Sequence, residues 1–399
     1  MADLLFLAHR IPFPPDRGDK IRSFHELRHL ARLGRVHLAC FADDESDAAN
    51  LAGLREAIGP ALGEAHVEIR RTSRIAAGAR ALLSGRPVSL AAFDSPSLRG
   101  FVERMLGRGG IATIFVFSGQ MAQFVPNGTP AHFVMDFGDV DSAKFESYAA
   151  DGGPLAWIHR REGRELAAFE RETAERADVS LFVSEAEAVL FRSRSGLHGA
   201  DIRALQNGVD LDYFSPGRRP SRVGAPLIAF TGQMDYAPNI DAVRWFSAEV
   251  MPFLPDARFA IVGRNPPPAV QRLAGERVTV TGAVADVRDW LAAADVVAAP
   301  LRIARGIQNK VLEAMAMARP VVASPAAFEG IEAEPGRDLL VAESASAQAE
   351  AIAGLFADSG RARTIGLAAR RRMEEAYRWD ARLKPLAQIA GLPARRAAA

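Results

Sequence analysis

The sequence predicts an α/β chain made of two doubly wound, Rossmann-like halves, and three observations carry that prediction. Its 399 residues exceed what one ordinary core holds, so two domains are the default. Short continuous apolar runs alternate with amphipathic helical stretches, as in parallel strands buried on both faces. The alternation is interrupted by the Pro-, Gly- and Arg-rich segment SPGRRPSRVGAP, residues 215–226, and then begins a second time.

Residues 4–8 are a continuous apolar run and read as the first strand. A helix follows with Ile21, Phe24, Leu27, Leu30 and Ala31 on one face, closed by Gly34, and residues 36–41 form the next strand. A strand, a crossover helix and a strand require a parallel sheet. Helices at 51–58 and 96–106 and strands at 111–117, 132–136 and 179–183 continue the series. Ser184 with Glu187 three residues on is a capping box. The second series has strands at 227–231, 258–262, 278–281, 295–299 and 320–323. The expected division is an N-terminal half over 1–214, a linker over 215–226 and a C-terminal half over 227–376. A helix and frayed tail over 377–399 complete it. Ligands of such halves bind at the carboxyl ends of the strands, so the expected site is a cleft between them.

Composition narrows the function. Hydrophobic residues make up 49% and charged residues 24%, as in a globular protein. A net charge of +1 gives no electrostatic footprint for nucleic acid. Cys40, the only cysteine, lies within the apolar run 36–41, reads as a buried thiol and fits a reducing compartment. The run at 4–8 is too short for a secretion signal and follows Asp3, and no stretch is long enough to span a bilayer. The expectation is a cytoplasmic protein. Only four of the 49 basic residues are lysines, Lys20, Lys144, Lys310 and Lys384. Arg70, Arg71, Arg74, Arg80 and Arg86 surround Ile75, Leu82 and Leu83, a basic and partly apolar segment suited to peripheral contact with anionic lipid, or equally a solvated helix.

Two segments carry the chemistry. QNGVDLDYFSP, residues 206–216, sits at the linker. GIQNKVLEAMAMARPVVAS, residues 306–324, is a Gly turn at Gly306, a helix and a Pro-started buried strand. A helix N-terminus presents free N–H groups and partial positive charge, so it can hold a diphosphate. Val311, Leu312, Met315 and Met317 read as core, and Glu313 among them can accept hydrogen bonds from ribose hydroxyls. Arg302, Arg305 and Lys310 gather positive charge around the start of this helix, where it can meet an anion, although Arg302 and Arg305 read equally well as a solvated loop. In the first half, Gly18 permits close backbone approach and Lys20 follows it, between the first strand and first helix. Asp136, Asp139 and Asp141 follow a later strand, with Lys144 nearby.

The first segment resembles the N-G-V-D-x-x-x-F-x-P motif of the retaining "group 1", or family four, glycosyltransferases, and the second resembles their donor-binding helix. The resemblance implies the GT-B fold, two Rossmann-like domains facing across a cleft. The position eight before Glu313 is Arg305 where the family usually has Glu, and its usual Arg and Lys after the first strand of the second domain are absent. TGQMDYAPN, residues 231–239, stands there instead and resembles a branch with T-G-x-M-x-Y-x-P-N and a Lys three residues before the ribose Glu, here Lys310. Gly232 and Asn239 are thereby expected to touch the donor. HRIPFPPDRGDKIR at 9–22 and DFGDVDS at 136–142 resemble the sugar transferases of exosortase/PEP-CTERM exopolysaccharide systems.

The resemblance implies transfer from a UDP- or GDP-sugar to a saccharide or lipid-linked saccharide, with retention and in surface-polysaccharide synthesis. Lys310, Arg305, Asp136 and Asp139 are the candidate catalytic residues. Gly18, Lys20, Gly232, Asn239, Arg302, Gly306 and Glu313 are the candidate donor contacts. Asp139-Val140-Asp141 also spells the D-x-D metal signature of the other major glycosyltransferase fold. Polar contacts to the transferred sugar or acceptor are preferred, with no metal and no cofactor. His9, at the end of the first strand, reads as a loop or acceptor contact, since the leaving phosphate can itself take the acceptor proton. A nucleotide-sugar epimerase and a non-catalytic nucleotide-sugar-binding relative remain as alternatives.

Overall fold

All the strand pairs recorded in the structure are parallel. The computed structural model describes residues 3–150, 152–217, 224–304 and 306–392. The chain divides into one compact unit of residues 1–206 and 383–399 and another of residues 207–382.

In the first unit the strands are β1 (Asp3–Ala8), β2 (Arg35–Ala42), β3 (Leu62–Ile69), β4 (Ile111–Phe117), β5 (His132–Gly138), β6 (Val179–Phe182) and β7 (Ile202–Ala204), in the sheet order β3-β2-β1-β4-β5-β6-β7. Its early helices are α1 (Gly18–Leu33), α2 (Glu45–Ala49), α3 (Leu51–Ile58), α4 (Arg74–Ser84), α5 (Val88–Ala92) and α6 (Pro96–Gly107). α7 (Asp141–Ala150), α8 (Ala156–Arg176) and α9 (Glu185–Ser195) follow. Leu4, Leu5, Phe6 and Leu7 of β1 are all without exposed surface, as a central strand covered on both faces requires.

The second unit orders its strands β10-β9-β8-β11-β12-β13, from β8 (Leu227–Thr231), β9 (Arg258–Val262), β10 (Val278–Val280), β11 (Val296–Ala299), β12 (Val321–Ala323) and β13 (Leu340–Val341). Its helices are α10 (Ala237–Trp245), α11 (Pro268–Gln271), α12 (Val287–Ala293), α13 (Asn309–Ala316), α14 (Pro325–Phe328), α15 (Ala345–Ala357), α16 (Ser359–Ala376) and α17 (Trp379–Arg382). Val311, Leu312, Met315 and Met317 are buried core, as their spacing predicts.

The boundaries differ from the expected ones at both ends of the second unit. The first unit ends at Gln206, ahead of the expected linker, because the 207–216 motif belongs to the second unit. Val209 donates its N–H to the Tyr377 carbonyl at 2.7 Å, and Val209, Leu211 and Phe214 join the second core. The Arg370 guanidinium donates to the carbonyls of Phe214 at 2.7 Å and Ala316 at 2.8 Å, tying the motif to the end of α13. The motif therefore acts as a clip. Residues 218–223 of the expected linker lie outside the described residues.

At the other end, the chain from Leu383 returns to the first unit through α18 (Leu386–Ile389). Thr113 donates its hydroxyl to the Ala390 carbonyl at 2.8 Å, and His132 donates Nε2–H to the Ile389 carbonyl at 2.8 Å. Leu383, Leu386 and Ile389 are buried, so this stretch is docked, while the expected frayed end, 393–399, lies outside the described residues.

Gly208 carries the tightest demand in the clip. A Cβ there would lie 2.7 Å from Trp379 Cα and 2.8 Å from its backbone nitrogen, and backbone cannot rotate away. Gly208→Ala should lower stability by about 1–3 kcal/mol, the usual cost of forced overpacking. Chemical denaturation measures it, and an unchanged midpoint would show that the clip yields freely.

Candidate functional site

In a doubly wound sheet the crevice for ligands opens where neighbouring strands send their connections to opposite faces. In the second unit that point lies between β8 and β11, and in the first between β1 and β4. Most of the candidate residues fall on the loops that leave these carboxyl ends.

The second unit builds the denser constellation. β8 runs into Gly232, whose N–H donates to the Val262 carbonyl at 3.0 Å. A Cβ on Gly263 would lie 1.6 Å from the Gly232 carbonyl oxygen, so the two turns touch only because residue 263 is glycine. A Cβ on Gly232 would in turn lie 2.8 Å from Asn239 Nδ2. Asn239 is buried near the start of α10, where Pro238 fits the first turn, and its Nδ2 donates to the Gln233 carbonyl at 2.8 Å. That leaves Asn239 Oδ1 to accept from Lys310 Nζ at 2.7 Å, with the ammonium 4.9 Å from the centre of the Phe230 ring.

Gly306, with φ of +65°, makes the left-handed turn before α13. Gln308 gives the helix no side-chain cap, so its first N–H groups are not covered by that side chain. Lys310 and Glu313 stand at i and i+3 on α13 and share a face. Burial pushes the Lys310 ammonium down to about 8, against the pull of Glu313. Burial likewise pushes the Glu313 carboxyl up to about 7, against the pull of Lys310. Both charges are thus poorly hydrated and lack a strong counter-ion, as groups waiting for a polar ligand would be.

The other predicted cations are placed differently. Arg302 is half exposed and forms a bidentate pair with Asp241 of α10, with Nε to Oδ2 at 2.9 Å, so much of its charge is already answered. Arg305 lies outside the described residues.

In the first unit, two expectations are corrected. Lys20 is 6% exposed, and its ammonium pairs with Asp47 of α2 at 2.5 Å, so it faces the protein and not a donor. Asp136 has no exposed surface and cannot touch a sugar: its Oδ2 takes Arg22 Nε at 2.8 Å and its Oδ1 takes the Gly138 N–H at 2.9 Å. Arg22 also donates to the Leu205 carbonyl at 2.7 Å, joining the ends of β5 and β7. Beside them Glu26 is pushed well above the usual carboxylate range, by burial first and then by Asp136, against the pull of Arg22. The loop before α1 keeps its expected place. Gly18 is exposed at the start of that helix, as close approach requires, but Asp19 beside it brings a negative charge. Burial works against that charge, yet the His9 hydrogen bond and the His9, Arg17 and Arg10 charges hold it far below the usual range.

Asp139 is exposed as a residue on the loop after β5, but the surrounding protein crowds its carboxyl. Loss of hydration pushes it up to about 6, helped by Glu187 and Asp141 and opposed by Lys144 and Arg22. Two buried acids hold this loop from beneath: Glu187 accepts the Val140 N–H at 2.7 Å and Glu170 the Ser142 N–H at 2.9 Å. His9 is buried, its ring 5.8 Å from that of Phe117 and its Nε2 3.1 Å from Asp19 Oδ2. Sequence reasoning missed Ser118, next to Phe117 at the end of β4, which holds φ at +78°. A left-handed non-glycine at a switch point is strain of the kind concentrated at ligand sites. The one signal for it was a strand running directly into Ser118-Gly119. A cavity of about 480 Å³ in this unit opens at the opposite pole, around Phe133, Arg176 and Asp178, away from all these groups.

Residues 225–358 match the family model described as Glycosyl transferases group 1. No curated protein sequence matches the chain significantly. Among solved structures, the chain is similar to a sucrose-phosphate synthase from Thermosynechococcus elongatus, at 18% identity and a TM-score of 0.71 over 98% of both chains. It is similar to Alr3699/HepE of Anabaena, solved with UDP-glucose, at 17% identity and a TM-score of 0.67 over 97% of this chain and 99% of that one. It is also similar to WaaG, a glycosyltransferase involved in lipopolysaccharide biosynthesis, at 16% identity and a TM-score of 0.69 over 97% of this chain and all of that one. The fold they share is GT-B, with two parallel-sheet Rossmann-like domains.

Two measurements test the electrostatics. Arg22→Ala strands a buried Asp136 charge and should cost about 3–5 kcal/mol, whereas Glu26→Gln replaces a carboxyl whose charged form burial disfavours with an amide of the same shape and should cost under about 1 kcal/mol in denaturant unfolding. Equal costs would mean that Glu26 is ionised. An acid raised from 4.5 to about 7 contributes stability that is present below pH 4.5 and lost as pH rises to about 7. The melting temperature of wild type relative to Glu313→Gln should therefore fall across that window, and parallel profiles would refute the shift.

Proposed function

We propose that the chain is a glycosyltransferase that carries a sugar from a UDP- or GDP-sugar to a hydroxyl of a saccharide or lipid-linked saccharide, with retention, in exopolysaccharide assembly. The observation that carries this reading is the Lys310–Glu313 pair on one face of α13, beside the switch point of the unit whose sequence matches the group 1 model. Glu313 would accept the ribose hydroxyls. The open N-terminus of α13 and the Lys310 ammonium, aimed by Asn239, would take the diphosphate. Charge grows on that diphosphate as the glycosidic bond breaks, so Lys310 acts most strongly in the transition state. A leaving phosphate that accepts the acceptor proton needs no side-chain base, and the cations supply charge that a metal would otherwise bring, so we read transfer as metal-independent.

Among the described residues no helix is long and apolar enough to cross a membrane. The proposed place of work is the cytoplasm, in peripheral contact with the inner face of the membrane where a lipid-linked acceptor would lie. One observation favours a second reading, a non-catalytic nucleotide-sugar-binding relative: Arg302 is already paired with Asp241, and Arg305 stands where a Glu is usual. Donor-dependent thermal shift without transfer to any acceptor would select that reading.

Glu313→Ala should weaken donor binding by about 1.5–3 kcal/mol, the worth of one or two charge-assisted hydrogen bonds. Lys310→Ala should fall mainly on turnover, by roughly 10²–10³. Donor binding by thermal shift and transfer rates with chelator present separate the two effects. Wild-type values in both variants would make α13 a purely structural helix.

A further inference from the structure

α4 is built the wrong way round for a helix of a self-contained domain. Among its described side chains the buried ones are small: Ala77 and Ala81 pack against Ala91. Two of its large residues face out, with Leu82 58% and Leu83 91% exposed. Burial of leucine is worth far more than burial of alanine, so this face is stable in water only at a cost that a covering surface would remove.

A second apolar group adjoins it. Arg161 of α8 donates to the Ala81 carbonyl at 3.1 Å and to the Arg86 carbonyl at 3.3 Å. The neighbouring Glu162 accepts the N–H groups of Val88 at 2.7 Å and Ser89 at 2.8 Å. These bonds fix the last turn of α4 against the first turns of α8. Trp157, one turn before Arg161 on the same side of α8, is 55% exposed, and Leu155 just ahead of the helix is 56% exposed. The charge along these two stretches is positive, with acids only at their margins. Residues 70–92 hold five arginines and no acid, and residues 152–161 hold two arginines and no acid. Arg70 and Arg86 are engaged by Asp43 and Asp94, while Arg71, Arg80 and Arg160 are exposed. The side chains of Arg74 and Ile75 lie outside what is described.

From the exposed Leu82, Leu83, Leu155 and Trp157 framed by unopposed arginines, we infer that the end of α4 and the start of α8 form one surface that docks on an anionic lipid bilayer. The apolar side chains enter the boundary between headgroups and acyl chains while the guanidinium groups stay among the phosphates. A protein partner would need an apolar patch ringed by acids, whereas a bilayer surface supplies both features everywhere. The inference extends the acceptor side of the proposed function but uses none of its donor chemistry, so the two can fail separately.

The test is co-sedimentation of the full chain with vesicles of phosphatidylcholine alone or with phosphatidylglycerol added, over a salt series. Wild type should partition at least about tenfold more strongly onto the anionic vesicles, and salt should weaken the binding. Leu82→Ser with Leu83→Ser, and separately Trp157→Ser, should each reduce that binding roughly tenfold. Their melting temperatures and donor-induced thermal shifts should stay at wild-type values, since these side chains are exposed. Equal partition onto both vesicle types would overturn the inference. So would variants that bind like wild type. A wild-type dimer that the substitutions dissociate, without vesicle binding, would assign the surface to a second copy of the chain instead.

Discussion

Parallel pairing is the constraint on which everything else here depends. A parallel strand must be followed by a crossover, so every carboxyl end in a sheet opens at the same pole and every return passes along a face. In the second unit this brings Gly232, the Gly263 turn and the start of α13 to one place, though they are spread over some eighty residues of sequence. In the first it brings together His9, Ser118 and the loop held by Glu170 and Glu187. The same pairing leaves both faces of β1 covered, which is why the strand reads as an unbroken apolar run.

Within that frame the polar groups are governed by how much water each retains. Lys20 and Asp136 found counter-charges inside the unit and lost their access to any ligand. Lys310 and Glu313 are half-buried and answered by an amide, an aromatic face and each other, so their titration is displaced toward neutrality. The difference lies in the partner, and it separates a charge that serves the fold from one available for chemistry.

This explains what was legible in the sequence. The strands buried on both faces were, because such burial writes itself into consecutive residues, whereas the eight-residue edge strand β3, mostly half-buried, lacks that run and was not read. The α13 helix was, because its Gly turn, apolar spacing and out-of-place Glu313 lie within a few residues of one another. The roles of Lys20 and Asp136 were not, because Asp47 and Arg22 are 27 and 114 residues away. The 207–216 motif was found at its place, yet its work as a clip was hidden, since Tyr377, Trp379 and Arg370 lie more than 150 residues downstream. β7 and β13, of three and two residues, carry too little pattern to be read at all.

The return of the chain at Leu383 makes the second unit an insertion. The Val209–Tyr377 hydrogen bond clasps its two ends, so it starts and finishes at nearly one point, and a separate polypeptide cut there would have adjacent termini. The first unit, by contrast, is synthesised in two instalments. Thr113 and His132 wait for carbonyls carried by the last stretch of chain, which leaves the ribosome only after the whole inserted unit. A nascent first unit is therefore complete in its sheet but open along one side, and the final segment closes it like a keystone set after the arch.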